Sequence, residues 1–423
     1  MTWGAVEVSQ HVIAGARTAP VVRPQPLGAF PLPAGLLLIP GGEETEPCRK
    51  ELVAGRIPAH WPAALRAHEL AFAGDLAGAR EALRGDDPVT RYNRFVIDPE
   101  GEDEERLRAD LGEPLGALVD LVRFTLGRTD EPPALGAADG EIAALILSAQ
   151  ATHAVSRGEP GLALRLLGDA VRLAEGESPA LAGVLLGAAA DIRKGAEGPS
   201  PEVVAELRRA LGLLKDTDLR VGQAELHLAL ALTLHEAAGG RRDLLVEAVR
   251  EYRAALRLVT SEEAPEVWAA AHLNLATAYL TMPMTEASDR LRQGIAVQSL
   301  RSALKVYRPE THPRQWASAQ LNLANALVYA PSRHREQNLR EAVELYEAVL
   351  KVRDAGSDPL GRARVLANQG NALAHLGMFG EARERLHEAR SLFAACGDEE
   401  AVRTVDGLLG EIAAHTGAGT AEG

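Results

Sequence analysis

The 423-residue sequence predicts an all-α fold, an α-solenoid of stacked antiparallel helix pairs that follows an irregular N-terminal segment with short β-prone stretches. A pattern that recurs in step is the first reason. Trp268-Ala-Ala-Ala-His-Leu-Asn274-Leu-Ala-Thr-Ala-Tyr279 returns as Trp316-Ala-Ser-Ala-Gln-Leu-Asn322-Leu-Ala-Asn-Ala-Leu327, a shift of 316 − 268 = 48 residues, and again without the Trp as Val365-Leu-Ala-Asn368-Gln-Gly-Asn-Ala-Leu373. Composition is the second. Aromatic residues make up only 4% while Ala and Leu abound, and small side chains let helices approach closely. The third is punctuation: Ser178-Pro179, Ser200-Pro201 and Asp358-Pro359 each place a side-chain acceptor at an N-cap and a residue without an amide hydrogen at the first helical position.

Residues 1–60 stand apart, because Pro20, Pro24, Pro26, Pro31, Pro33 and Pro40 interrupt any helix. Ala5–Val8 and Gly35–Ile39 have β-prone composition, suited to an edge hairpin or an extended arm. From Trp61 the pattern is helical, with Leu65, His68, Ala71 and Phe72 on one face, a Gly74-Asp75 turn, then Leu76, Ala79 and Leu83. Residues 86–98 read as an irregular insert carrying Arg91-Tyr92-Asn93-Arg94-Phe95, an aromatic and arginine cluster suited either to a partner or to packing the N-terminal segment. The acidic run Glu100–Glu105 reads as a solvated helix start, followed by one helix over 106–126 and a Pro/Gly-rich connector over 129–138.

From Glu141 helices pair regularly. Second helices align through Ala248, Ala296, Ala342 and Ala382, with the first two intervals longer than the roughly 34 residues of a minimal two-helix repeat. The excess falls in 282–293 and 330–337, which demands longer helices or longer loops. Residues 398–414 form a capping helix. The expected division is therefore 1–60 irregular, 61–140 a helical hairpin with connector, 141–415 the repeat array and 416–423 a frayed tail.

Asn322-Leu-Ala-Asn-Ala-Leu327, Asn368-Gln-Gly-Asn-Ala-Leu373 and Asn274-Leu-Ala-Thr-Ala-Tyr279, with Glu341-Ala342 and Glu381-Ala382 opening second helices, resemble the tetratricopeptide repeat. The match covers 220–415 best, and its extended repeat length resembles the longer arrays of bacterial signalling and regulatory proteins. The motif's Gly is Ala in two of the three copies, a mild departure because Ala still permits close packing. The resemblance implies a concave face collecting Gln223, His227, Asn274, Thr277, Ser318, Asn322, Asn325, Arg364, Asn368, Asn371 and His375. Amides on that face suit the backbone of an extended peptide, and they equally suit bonding between neighbouring helices. Some members clamp a terminal carboxylate with two Asn and several cations. Asn325 and Asn368 fall on the Asn positions and Arg364 adds a cation, but Leu321 stands where the first lysine is expected, so the clamp is incomplete. Trp268 and Trp316 keep a common register, which favours packing between repeats over surface recognition.

A net charge of −14 argues against nucleic acid as a partner and favours a neutral to basic protein or peptide. Two cysteines, far apart and without CxxC spacing, fit a reducing cytoplasm; no apolar run is long enough for a membrane span. The twelve histidines include two pairs eight residues apart and no HExxH, so neither a metal nor another cofactor is expected. Without a nucleophile elbow or phosphate loop the chain reads as a non-catalytic scaffold. The rivals are a ligand- or peptide-responsive regulator, and an enzyme or accessory subunit with its chemistry in the first 140 residues. A homodimer through the last hairpin is a further expectation.

Overall fold

A computed structural model describes residues 24–282, 289–330, 333–354 and 356–418, so the β-prone Ala5–Val8 lies outside the described residues. Contacts divide the chain into two units, residues 1–149 and 150–423. No helix among the described residues is long and apolar enough to cross a membrane.

The first unit contains α1 (Glu46–Val53), α2 (Arg66–Phe72), α3 (Leu76–Ala82), α4 (Pro88–Ile97), α5 (Glu104–Leu111), α6 (Gly116–Thr125) and the first half of α7 (Gly140–Ser156). Two sequence expectations are corrected here. Residues 88–97 are not irregular: Asp87 accepts a hydrogen bond from the Thr90 amide, Pro88 opens the helix, and Tyr92, Phe95 and Val96 form its buried face. The single helix expected over 106–126 is two, because Gly112 closes α5 in a left-handed conformation (φ 63°) and Pro114 follows. The acidic run opens α5 as a largely exposed helix start, as expected. Asp103 caps α5, and Glu100, Glu102 and Glu104 pair with Arg128, Arg91 and Arg123.

The proline-rich segment enters the core of this unit instead of lying over it. Leu36, Leu37 and Leu38 pack with Tyr92, Phe95, Leu107 and Leu118, and the only β-pairing among the described residues is one antiparallel bridge between Gln25 and Ile39. A buried backbone must find partners for its polar groups, and turns within the segment and side chains from the helices supply them. Asn93 Oδ1 accepts from the Leu38 amide at 2.7 Å, while Asn93 Nδ2 donates to the Leu38 carbonyl at 2.8 Å. His68 Nε2 donates to the same carbonyl at 3.1 Å. Upstream, buried Glu141 accepts from the Gly28 amide and from Gln25 Nε2, both at 3.1 Å.

The second unit is a helical repeat array. Its helices are α8 (Pro160–Ala174), α9 (Pro179–Glu197), α10 (Pro201–Leu214), α11 (Arg220–Ala237), α12 (Arg242–Leu258), α13 (Pro265–Thr281), α14 (Asp289–Val306), α15 (Pro313–Tyr329), α16 (Arg335–Val352), α17 (Pro359–His375), α18 (Phe379–Ala395) and α19 (Glu399–Ala418). Each packs on its sequence neighbours, and the first helices α9, α11, α13, α15, α17 and α19 also touch in succession. Ser178, Ser200 and Asp358 make the N-cap bonds expected of them. Ala248, Ala296, Ala342 and Ala382 are all 0% exposed, so these small side chains are packed into the array on every side.

The unequal repeat length is settled by helix length. Helices α11 to α18 all have 17 or 18 residues, so the extra residues of the longer repeats belong to the connections. The last pair is also the tightest at the motif glycine. A Cβ on Gly370 would sit 2.7 Å from Leu386 Cγ and 3.2 Å from the Ala382 carbonyl, whereas Ala276 and Ala324 occupy the same register in the two preceding copies.

Replacing Asn93 by Ala leaves the buried Leu38 amide without a partner and its carbonyl with His68 alone, and unfolding in urea is expected to show a loss of about 1–3 kcal/mol. Burial holds the His68 imidazole down at about 4, against an ordinary value of 6.5. The folded state therefore resists protonation, so this contribution to stability is whole above pH 6.5 and is lost as the pH falls toward 4, by up to about 3 kcal/mol. Thermal unfolding across that window should show the decline, and His68→Gln should flatten it.

Candidate functional site

Because the helices of successive pairs repeat at 48 and then 46 residues, the shared face of α13, α15 and α17 is a grid. Asn274, Asn322 and Asn368 form one level, Thr277, Asn325 and Asn371 the next, and Thr281, Tyr329 and His375 the third. Hydrogen bonds cross the grid diagonally, each donated by the later helix to the helix before it, one turn along. Asn322 Nδ2 donates to Thr277 Oγ1 at 3.3 Å, Asn368 Nδ2 to Asn325 Oδ1 at 3.1 Å, and Asn371 Nδ2 to the Tyr329 hydroxyl at 3.4 Å. Asn325 Oδ1 also accepts a 2.6 Å bond from the hydroxyl of Tyr346, a residue 1% exposed on α16. Asn325 thus binds three helices together.

This ladder spends only half of each amide. Among the described residues, Asn325 Nδ2 and the carbonyl oxygens of Asn368 and Asn371 have no partner, and the Tyr329 hydroxyl keeps its own hydrogen to donate. Exposed Arg364 and His375 on α17 form no hydrogen bond or ion pair there either. These unspent groups line a cavity of about 850 Å³ between α15, α17 and α19, whose apolar side consists of Leu321, Ala367, Phe393, Val405 and Leu408. A second cavity of about 320 Å³ lies between α13, α14 and α15, bounded by Thr277, Leu280, Thr281, Gln293, Asn322 and Ala326. Asn325 and Tyr329 belong to both.

The remaining sequence candidates lie off these cavities or are occupied. Gln223 Nε2 bonds the Leu214 and Thr217 carbonyls and so fastens the turn before α11. His227 Nδ1 lies 2.6 Å from Glu251 Oε2 on α12. Asn274 and Thr277 return a bond to their own helix, to the carbonyls of Ala270 and Leu273, and Ser318 is half-buried outside both cavities. Leu321 lines the larger cavity, and no lysine does. Trp268 packs with Ala224, Ala255 and Val259 and meets the His272 ring edge-on at 4.3 Å. Among the described residues no group of three or more His, Cys, Asp or Glu could hold a metal ion.

Sequence reasoning missed Tyr329, which is 66% exposed between the two cavities. The signal was present: Tyr329 shares its level with His375, one turn beyond Asn325 and Asn371. The α19 wall was missed as well, since Thr404, Val405 and Leu408 carry no repeat landmark.

No protein-family model and no curated protein sequence matches the chain. Solved structures similar to it include the TPR2AB domain of yeast Sti1 in its pHSP90 complex, at 16% identity over 64% of this chain and 98% of that one, with a TM-score of 0.26. A human IFIT1 dimer with PPP-AAAA aligns at 15% identity over 78% of this chain and 82% of that one, TM-score 0.29. The Cut9-Hcn1 hetero-tetramer of APC/C aligns at 11% identity over 84% and 90%, TM-score 0.24.

Asn325→Ala is expected to cost about 1–3 kcal/mol, because it strands the buried Tyr346 hydroxyl. In the Tyr346→Phe background the same change should cost at least about 1 kcal/mol less, a coupling that a double-mutant cycle in urea measures. Asn371→Ala, at a half-exposed position, should stay within about 0.5 kcal/mol of wild type.

Proposed function

We propose that the protein is a non-catalytic interaction scaffold of the tetratricopeptide type, working in the cytoplasm, and that it binds an extended peptide or a segment of a partner protein along the face of α13, α15 and α17. The observation that carries this reading is the half-spent amide ladder. It holds the helices at fixed register and presents free donors and acceptors in alternation beside an apolar wall, which suits a partner whose own N–H and C=O groups need pairing. A rigid array gives up little conformational freedom when it binds, so modest contacts yield useful affinity. Asn325 and Tyr329, which the two cavities share, are uncharged, and Arg364, Asp398 and Glu400 line the larger cavity beyond them, which suits a partner that is neutral where it crosses Tyr329.

Affinity capture from native extract tests the reading with wild type beside Arg364→Ala/Asn371→Ala, a pair chosen to leave the Tyr346–Asn325–Asn368 bonds intact. A partner retained by wild type and reduced at least tenfold on the double variant, with unchanged circular dichroism, is the expected result. Equal capture by both would remove the working surface from this face.

A further inference from the structure

The two cavities are one recognition surface with two apolar floors. Between α13 and α15 the smaller one has Leu280 and Ala326 at its base; the larger one reaches Phe393, Val405 and Leu408 on the far side of α17. Tyr329 stands between them, its hydroxyl held by Asn371 and its ring open to solvent. Asn325 and Tyr329, which belong to both cavities, and Asn371 beside them put amide and hydroxyl groups at the crossing, while Arg364, Asp398 and Glu400 line the larger cavity elsewhere. Such a surface fits an extended backbone that crosses a polar ridge and drops a bulky side chain on either side.

Resting on the reading above, we infer that the partner is an extended, internally uncharged segment carrying two bulky apolar residues about six positions apart, which straddle Tyr329. The spacing follows from packing. Helices pack at about 8–10 Å, so floors two first-helix steps apart are separated by about 16–20 Å. An extended chain advances about 3.3 Å per residue and turns alternate side chains to opposite sides, so the anchors fall about six residues apart, an even number that points both to the floor. The residues between them lay their backbone on Asn325 and Asn371, with the Tyr329 ring as the contact at the crossing. Fixed aromatic rings with a bonded hydroxyl are efficient anchors, since little rotamer freedom remains to be lost.

The test is selection of random dodecapeptides displayed on phage against the immobilised full chain, followed by anisotropy measurements on the selected sequences with both ends blocked. The expected outcome is enrichment of paired bulky apolar residues at a separation of six. The same peptides should bind at least tenfold more weakly to Tyr329→Ala and to Thr281→Trp, which fills the smaller cavity from an exposed position, while Tyr329→Phe stays within about threefold of wild type. Peptides with one anchor or another spacing that are still weakened by Arg364→Ala/Asn371→Ala would overturn the inference and leave the groove reading standing. Peptides insensitive to every variant, or a selection that enriches nothing, would overturn both.

Discussion

Everything in the repeat array depends on how closely its helices come together. Ala248, Ala296, Ala342 and Ala382 have lost all contact with solvent, and at Gly370 even a methyl group finds no space. Close approach brings first helix against first helix near enough for an amide side chain to reach across. A larger residue at these positions would push the helices apart and break the bonds between Asn368 and Asn325 and between Tyr346 and Asn325 long before it disrupted the helices themselves. The polar face is thus a product of the apolar packing behind it.

The same economy operates in the first unit with a different element. There a proline-broken segment pairs part of its backbone through turns and one bridge, and Asn93, His68 and Glu141 supply hydrogen bonds to the rest one at a time. Buried polar side chains placed in this way favour a single arrangement, because a backbone group that loses them in the dry interior finds no water to replace them. Leucines 36 to 38 then contribute to the core as fully as any helical stripe.

The array was legible in the sequence because its landmarks repeat: Asn274, Asn322 and Asn368 keep their register, and capping residues followed by proline mark where helices begin. What escaped was set by contacts with no local signature. The helix at 88–97 hides its apolar face among Arg91, Asn93 and Arg94, each of which finds a polar partner within the fold. Periodicity could place Asn325 and Asn371 on one face, but it could not show that half of each amide is already bonded, nor that Tyr329 lies open between two cavities. Gln223 and His227 were named for their register and are held by the turn before α11 and by Glu251.

The near-constant length of α11 to α18 leads to one last point. Pairs built from helices of 17 or 18 residues differ only in what joins them, from three residues at 376–378 to seven at 282–288. Length can therefore be added at that rim while the grid of amides stays in register, at an entropic cost of only about 0.6 kcal/mol for each doubling of a connection. The rim is the natural place for this molecule to diversify, and for an engineer to graft a second binding segment without rebuilding the first.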